Sequence, residues 1–221
     1  MDHMDLRQEV AKITRRMSDA GFVAGTEGNV SARTPDGNVL VTPSGLDYSE
    51  LEPEDVVLVD PEGRRLGGSL EPSTETPMHT GIYRSRPEVR GIVHTHARYS
   101  TTLACLRLPI PPVHYVLALL SDEGRVPLAR YATYGTEELA RNAAEALGDS
   151  HGACLLSNHG TIAVGSSVGE AYSRTEVLEE MAELYYRARL AGEPALLTPE
   201  QMAEVAAKIH DYGQSKTPSG Q

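Results

Sequence analysis

Two histidines lie two residues apart at the end of an apolar run, in the segment GIVHTHARYS. The residues before them predict a short buried strand, and side chains two positions apart on a strand point to the same face. We therefore expect His94 and His96 to face one side and Thr95 to face the other. An isolated His-x-His pair is more often two hydrogen-bonded histidines that bind nothing.

A third histidine favours a metal site over that simpler interpretation. His159 closes another β-like run, in LLSNHGTIAVG. If the two strands are neighbours, three imidazoles converge at one place. Three histidine nitrogens with an open fourth position are typical of a catalytic zinc, whereas a structural zinc usually has four ligands that include cysteine. Neither Cys105 nor Cys154 has the spacing of a metal-binding motif.

Glu75 is the candidate carboxylate beside such a metal. It lies at the start of a predicted helix, where the helix dipole by itself favours an acidic side chain. His79 follows one turn later on the same face, so Glu75 and His79 form an alternative ligand pair, although the three other histidines are better placed. Next to zinc, Glu75 can act as a fourth ligand or as the base for a C–H proton.

Three loops of small residues have the composition of a phosphate site. They are GTEGNVS at 25–31, TPSG at 42–45 and PST at 72–74. Hydroxyls, amides and backbone N–H groups hold phosphate without Lys or Arg, although each loop alone is also an ordinary turn. Ser73 and Thr74 directly precede the predicted helix. Glu27 brings a negative charge into the first loop, and we expect it to point outward.

The remaining pattern predicts one α/β domain, because helices and strands alternate without a repeat or a long linker. Apolar residues at helical spacing begin near Leu6 and end before Gly21, a C-terminal cap. We expect further helices at 74–86, 99–106, 137–148, 168–192 and 199–213. The predicted strands are 29–33, 38–42, 56–60, 91–96, 153–157 and 161–165. The tail at 214–221 is predicted to be disordered.

Composition limits the partners and the compartment. The 221 residues include 20 Lys and Arg against 31 Asp and Glu, a net charge of −11, which would repel a nucleic-acid backbone. The longest apolar stretch is too short and too rich in proline to span a membrane. The N-terminus lacks the apolar core of a signal peptide. We expect both cysteines to be buried and reduced in a cytoplasmic protein.

Four segments together resemble the class II aldolase/adducin family. They are GTEGNVSAR, VTPSGL, STETPMHTGIYRSRPEVRGIVHTHARYSTTLA and LLSNHGTIAVG, in this order and spacing, and the similarity runs from about residue 5 to residue 213. The resemblance implies an αβα three-layer sandwich with a central mixed, mainly antiparallel sheet, formed by residues 1–213. It also implies a homotetramer with active sites at the subunit interfaces.

The resemblance assigns roles to individual residues. It implies a zinc ion bound by His94, His96 and His159, with Glu75 as an exchangeable ligand and acid/base. It further implies that the substrate phosphate is held by Gly28, Asn29, Ser44, Gly45, Ser73 and Thr74. The family's aldolases have paired serines at the position where this chain has Ser73-Thr74.

Two tyrosines also match catalytic segments of the aldolases. Tyr115, in IPPVHYVLALL, corresponds to a tyrosine that reaches into the neighbouring subunit's site, and Tyr212 lies in the C-terminal KIHDYG. Either residue also fits a half-buried tyrosine with an exposed hydroxyl. The implied substrate is a phosphorylated ketose, L-fuculose 1-phosphate or a similar one. Tyr115 would deprotonate its hydroxyl, zinc would stabilise the resulting enediolate, and Glu75 would protonate it to dihydroxyacetone phosphate.

Other members of the family leave alternatives open. L-Ribulose-5-phosphate 4-epimerases use the same C–C cleavage but usually carry aspartate where Glu75 stands. Glu75 and the IPPVHY segment favour an aldolase, while sugar-phosphate decarboxylases and dehydratases share the scaffold. A non-catalytic adducin-like interaction domain does not need the three histidines that this chain keeps. The aldehyde half of the substrate is not specified by these motifs.

Overall fold

Eight strands form one mixed sheet between helical layers in the computed structural model, which describes residues 3–209. The helices are α1 Met4–Asp19, α2 Thr76–Ser85, α3 Arg98–Cys105, α4 Glu137–Leu147, α5 Val168–Ala191 and α6 Pro199–Ile209. The strands are β1 Asn29–Arg33, β2 Val39–Val41, β3 Val57–Val59, β4 Arg65–Gly67, β5 Gly91–Thr95, β6 Leu128–Ala129, β7 Ala153–Leu156 and β8 Gly160–Gly165. Pro53–Asp55 and Tyr115–Leu119 form short 3-10 helices. The predicted elements are confirmed within the described range. β4 and β6 are not predicted, because β4 is largely exposed and lacks an apolar run and β6 has only two residues.

The strand order is β4-β3-β2-β1-β5-β8-β7-β6. Every neighbouring pair is antiparallel except β6 and β7, so the mixed, mainly antiparallel sheet is confirmed. β5 lies at the centre, between β1 and β8. Asn29 pairs with His94 on one side, and Thr161 pairs with Thr95 on the other. This order brings the ends of three sequence-distant motifs to one place.

Alternation along the strands divides the core into two layers, because successive side chains point to opposite faces. On β5, Ile92 packs with Met78 and Ile82 of α2, while Val93 belongs to the cluster formed with α1 and α5. α4 joins α2 on the first face, and α3 packs with α5 on the second. Each large aliphatic side chain buried this way contributes about 1.5–3 kcal/mol. The αβα three-layer sandwich is therefore confirmed.

Polar contacts fix the segments that carry the histidines. Gly21 has φ +71° just after α1, which confirms the predicted glycine at the end of this helix. The Glu179 carboxylate of α5 accepts hydrogen bonds from the backbone N–H groups of Tyr99 (2.8 Å) and Ser100 (2.9 Å). Since these N–H groups lie in the first turn of α3, Glu179 anchors the chain directly after His96.

The two cysteines differ in exposure. Cys154 is buried in β7, and burial raises the pKa of its thiol. Cys105 is exposed, so the prediction of two buried thiols is wrong for it. The inward face of α3 carries Ser100, Leu103 and Ala104, and Cys105 lies beside that face at the helix end. Among residues 3–209, none of the helices is both long and apolar enough to cross a bilayer.

Candidate metal centre and substrate pocket

The three histidines converge at one end of the sheet. His94 lies on β5, His96 follows that strand, and His159 precedes β8 in a turn where Asn158 has φ +53°. The ring centroids are 4.8–5.1 Å apart, and one nitrogen from each ring lies within 4.8 Å of the others. The side chains are therefore close enough to hold one metal ion.

Hydrogen bonds at Nδ1 leave Nε2 for the site in two of the histidines. His94 Nδ1 donates to the carbonyl oxygen of Thr161 at 2.7 Å, and His96 Nδ1 lies 3.1 Å from Glu27 Oε2. Both partners only accept hydrogen bonds, so each Nδ1 carries the proton. Such a carbonyl or carboxylate partner is typical of metal-binding histidines, whose tautomer and ring orientation it fixes.

Glu75 lies beside the three rings, at the start of α2, and is buried. Its Oε2 is 3.0 Å from His94 Nε2, and its Oε1 is 3.3 Å from His159 Nε2. Burial alone would raise the pKa of Glu75, but His94, His159 and a hydrogen bond from Asn29 hold it well below its usual range. Glu75 is thus an ionised carboxylate within reach of the same point as the imidazoles.

The protonation states fit a divalent cation. Burial lowers the pKa of His96, with His94 adding to the effect, and lowers the pKa of His159 to about 4. Burial opposes a charge on His94 as well, but Glu75 raises its pKa above the ordinary value. Without a metal, Glu75 therefore favours a proton on His94 Nε2, which lies 3.0 Å from Glu75 Oε2 and 3.1 Å from His96 Nε2. Metal binding to histidine replaces such a proton. Three imidazoles and a carboxylate are a donor set suited to zinc.

His79 does not belong to this cluster, so the alternative ligand pair of Glu75 and His79 is not formed. Its ring is fully buried, with Nδ1 2.6 Å from Ser31 Oγ and Nε2 2.5 Å from Asn29 Oδ1. Burial lowers the pKa of His79 to about 3, so the ring is neutral. Both ring nitrogens are occupied by protein partners.

The predicted phosphate residues all line one open cavity of about 380 Å³, which also reaches Glu75, His96 and His159. They are Gly28, Asn29, Ser44, Gly45, Ser73 and Thr74. No Lys or Arg is among the described residues that line it. A phosphate there would depend on hydroxyls, backbone N–H groups and the nearby cation.

Gly28 shows why a glycine is needed in this wall. Its φ is +71°, and a Cβ there would lie 2.7 Å from the carbonyl oxygen of His94. The buried Tyr48 hydroxyl donates to the Gly28 carbonyl oxygen and fixes the loop. The Asn29 side chain is engaged by both Glu75 and His79.

Several residues that the sequence patterns did not identify as site residues also line the cavity. Tyr131 and Tyr134, both more than half exposed, lie on one wall together with Asn158. Glu27 also lines the cavity and contacts His96, so the expectation that it points outward is wrong. Of these residues, only Glu27 was conspicuous in the sequence, as an acidic residue inside a loop with the composition of a phosphate site.

Of the two predicted catalytic tyrosines, only Tyr115 lies among the described residues. Tyr115 lies in its 3-10 helix with 53% of its surface exposed, and it is not among the residues that line the site. Its predicted role requires a neighbouring subunit and stays a prediction. Tyr212 and the tail at 214–221 lie outside the described residues.

Comparison with known proteins gives a family match over most of the chain. The family model described as "Class II Aldolase and Adducin N-terminal domain" matches residues 8–186. A 5-methylthioribulose-1-phosphate/5-deoxyribulose-1-phosphate aldolase of Rhodospirillum rubrum is 40% identical over 210 residues, covering 95% of this chain and 93% of its own. An L-fuculose phosphate aldolase of Haemophilus influenzae is 36% identical over 214 residues, covering 96% and 97%. A solved L-fuculose 1-phosphate aldolase superimposes with a TM-score of 0.89 at 38% identity, covering 93% of this chain and 96% of that one.

Proposed function

This chain belongs to the class II aldolase and adducin family, and we propose that it is a zinc-dependent aldolase that reversibly cleaves a ketose 1-phosphate to dihydroxyacetone phosphate and an aldehyde. Its similar curated relatives are named aldolases, which supports the enzyme class. The observation that carries the proposal is that the cluster of three histidines adjoins the small-residue loops at one cavity, which Glu75, His96 and His159 line.

We assign two parts of the substrate to two regions of the cavity. We assign its phosphate to the hydroxyls of Ser44, Ser73 and Thr74. The backbone N–H groups of Ser44 and Ser73 already donate to the carbonyl oxygens of Glu71 and Thr42. We assign the carbonyl and the adjacent hydroxyl to the side of His96 and His159, which line the same cavity. Contacts at both ends hold the ketose in one orientation before any bond breaks.

Glu75 is the group that moves a proton at carbon. In the direction of synthesis the ionised carboxylate would remove the C–H proton of dihydroxyacetone phosphate and become a carboxylic acid. In the direction of cleavage the same group, in its protonated form, would return that proton to the carbon. Zinc held by His94, His96 and His159 would supply the Lewis acidity that stabilises negative charge on the substrate oxygens. Tyr115 of a neighbouring subunit would accept the proton of the hydroxyl beyond the scissile bond, within a homotetramer in the cytoplasm. Tyr212 is a second candidate for this part of the site.

The aldehyde half of the ketose determines which sugar phosphate the enzyme prefers. L-Fuculose 1-phosphate, 5-deoxyribulose 1-phosphate and 5-methylthioribulose 1-phosphate all contain the dihydroxyacetone phosphate half, and relatives are named for each of them. Tyr131 and Tyr134 add aromatic surface to the cavity wall, which suits a deoxy or methylthio end as well as a sugar alcohol. We therefore propose ketose 1-phosphates of this class as the substrates.

The test is release of dihydroxyacetone phosphate from each of the three ketose phosphates, measured by a coupled reduction with zinc-loaded protein. We expect release with at least one of them, loss of release after chelation, and recovery with zinc. His159→Gln should lower both bound zinc and turnover by more than about tenfold. His151→Gln removes a histidine outside the cavity and is the matched control, with no change expected.

Two outcomes would change the proposal. Zinc binding without release, together with conversion of L-ribulose 5-phosphate to its 4-epimer, would identify the epimerase alternative. Glu75 speaks against that activity, because the epimerases usually carry aspartate there. Absence of zinc binding with intact folding would overturn the metal site itself.

A further inference from the structure

A continuous chain of buried side chains leads from the core to Glu75. Tyr83 OH lies 2.9 Å from Ser31 Oγ, which lies 2.6 Å from His79 Nδ1. His79 Nε2 lies 2.5 Å from Asn29 Oδ1, and Asn29 Nδ2 lies 3.0 Å from Glu75 Oε2. Each of the four residues before Glu75 is at most 4% exposed.

The chemistry of the last link fixes the direction of every other one. An ionised carboxylate only accepts hydrogen bonds, so Asn29 must present its NH₂ group to Glu75 and its carbonyl oxygen to His79. His79 must then carry its proton on Nε2, which leaves Nδ1 as an acceptor in the neutral ring. Ser31 therefore donates to His79 Nδ1 and accepts from the Tyr83 hydroxyl.

We propose that Tyr83, Ser31, His79 and Asn29 form a positioning relay that holds the Glu75 carboxylate by its Oε2 atom, an inference that rests on the proposed function of Glu75. None of the first three residues reaches the substrate cavity, so none is a catalytic residue. Their effect passes through the Asn29 amide. Glu75 Oε1, by contrast, accepts no hydrogen bond within the described part of the chain. One oxygen is anchored, and the other stays available for chemistry.

The location of the relay distinguishes it from an ordinary satisfied core histidine. Ser31 and Asn29 lie on β1, whereas Tyr83 and His79 lie on α2, so the hydrogen bonds cross between sheet and helix three times. Glu75 precedes the first turn of the same helix. The relay therefore fixes the position of α2 relative to β1, and with it the distance from Glu75 to His94. Partners beyond the first ligands orient them in this way in metal sites generally.

The test uses a reaction of Glu75 that needs no aldehyde. The zinc-loaded enzyme is mixed with dihydroxyacetone phosphate in deuterated solvent, and NMR measures the rate at which the C–H proton is exchanged. We expect His79→Leu, which cannot donate to Asn29, to lower the exchange rate by about tenfold or more with little change in KM. His79→Gln places an N–H donor near the original Nε2 position and should restore most of the rate. Ser31→Ala should give an intermediate loss.

Thr175→Val is the matched control for removing a buried hydroxyl, because Thr175 is 2% exposed on α5 and bonds only to a helix carbonyl among the described contacts. It should leave exchange unchanged. Equal losses in His79→Leu and His79→Gln, at equal thermal stability, would overturn the relay and leave His79 as a packing residue.

A second readout is independent of activity. Nitrogen-15 shifts of the histidine rings, with the His79 signal assigned by its absence in His79→Gln, report which nitrogen carries the proton. A protonated Nε2 supports the relay, and a protonated Nδ1 overturns it whatever the enzyme does. If the wild-type protein exchanges no proton, the proposed function fails, and the tautomer alone then decides whether the relay exists.

Discussion

Glu27 Oε2 lies 3.1 Å from His96 Nδ1, so the acidic residue of the first small-residue loop contacts a candidate metal ligand. The contact fixes the His96 tautomer and adds negative charge behind the imidazole, which makes the other nitrogen a stronger donor to a metal. The same carboxylate lines the cavity proposed for phosphate. Glu27 therefore favours the metal and opposes the anion, and the two effects can be measured separately.

Replacing Glu27 should change these two properties in opposite directions. In Glu27→Ala we expect zinc affinity, measured by competition with a chromogenic chelator, to fall by about tenfold. Inorganic phosphate should inhibit turnover more strongly than in the wild type, because a negative charge has been removed from the cavity. Glu180→Ala, on the exposed side of α5, changes the net charge equally and is the control. Zinc affinity equal to that of the control would show that the Glu27 contact has no influence on the metal.

Gly160 should not tolerate a side chain. A Cβ at this position would meet the Thr95 carbonyl oxygen and lie 2.7 Å from His96 Cδ2. We expect Gly160→Ala to displace His96, to lower zinc affinity and to destabilise the fold by about 1–3 kcal/mol in urea unfolding. Gly192→Ala is the control, since its Cβ would meet nothing within 4 Å. Unchanged zinc affinity in the Gly160 variant would mean that His96 is not a ligand.

The buried His79 should make stability depend on pH. Its pKa in the folded chain is lowered to about 3, from an ordinary value of 6.5. The unfolded chain therefore takes up a proton that the folded chain does not, and stability is lost as pH falls from about 6.5 toward about 3. The full contribution is about 4–5 kcal/mol. The measurement is the urea midpoint of chelator-treated protein at pH 7 and pH 5. Between these pH values the midpoint should fall less for His79→Gln than for the wild type. An equal fall in both proteins would show that burial does not lower the pKa of His79.

The cysteines should react at different rates. Cys105 is exposed, while Cys154 is fully buried with a raised thiol pKa, and only thiolates attack disulfide reagents. We expect one thiol per chain to react rapidly with Ellman's reagent, and the second only after unfolding in denaturant. Cys105→Ser should remove the fast phase and keep the slow one. Rapid labelling of that variant would show that β7 opens readily in the native protein.

Much of the fold could be read from local pattern. Val39–Val41, Val57–Val59 and Ala153–Leu156 are apolar runs of the length of buried strands, and the structure confirms each of them. β6, with only Leu128 and Ala129, has no local signature, because it depends on pairing with β7. The homotetramer and the role of Tyr115 stay predictions, since both depend on a second copy of the chain.

The sequence by itself determined which side chains are available: paired histidines at strand spacing, a third before Gly160, an acidic residue at a helix start, and loops of small residues. Only the tertiary structure decided where the side chains of Glu27, Asn29 and His79 point. These directions depend on β5 lying between β1 and β8, with Asn29 opposite His94. Such pairing joins residues 59 or more positions apart, and their local sequence does not indicate it. Hydrogen-bond partners follow from that register, which is why His79 joins Asn29 and Ser31 instead of the metal ligands.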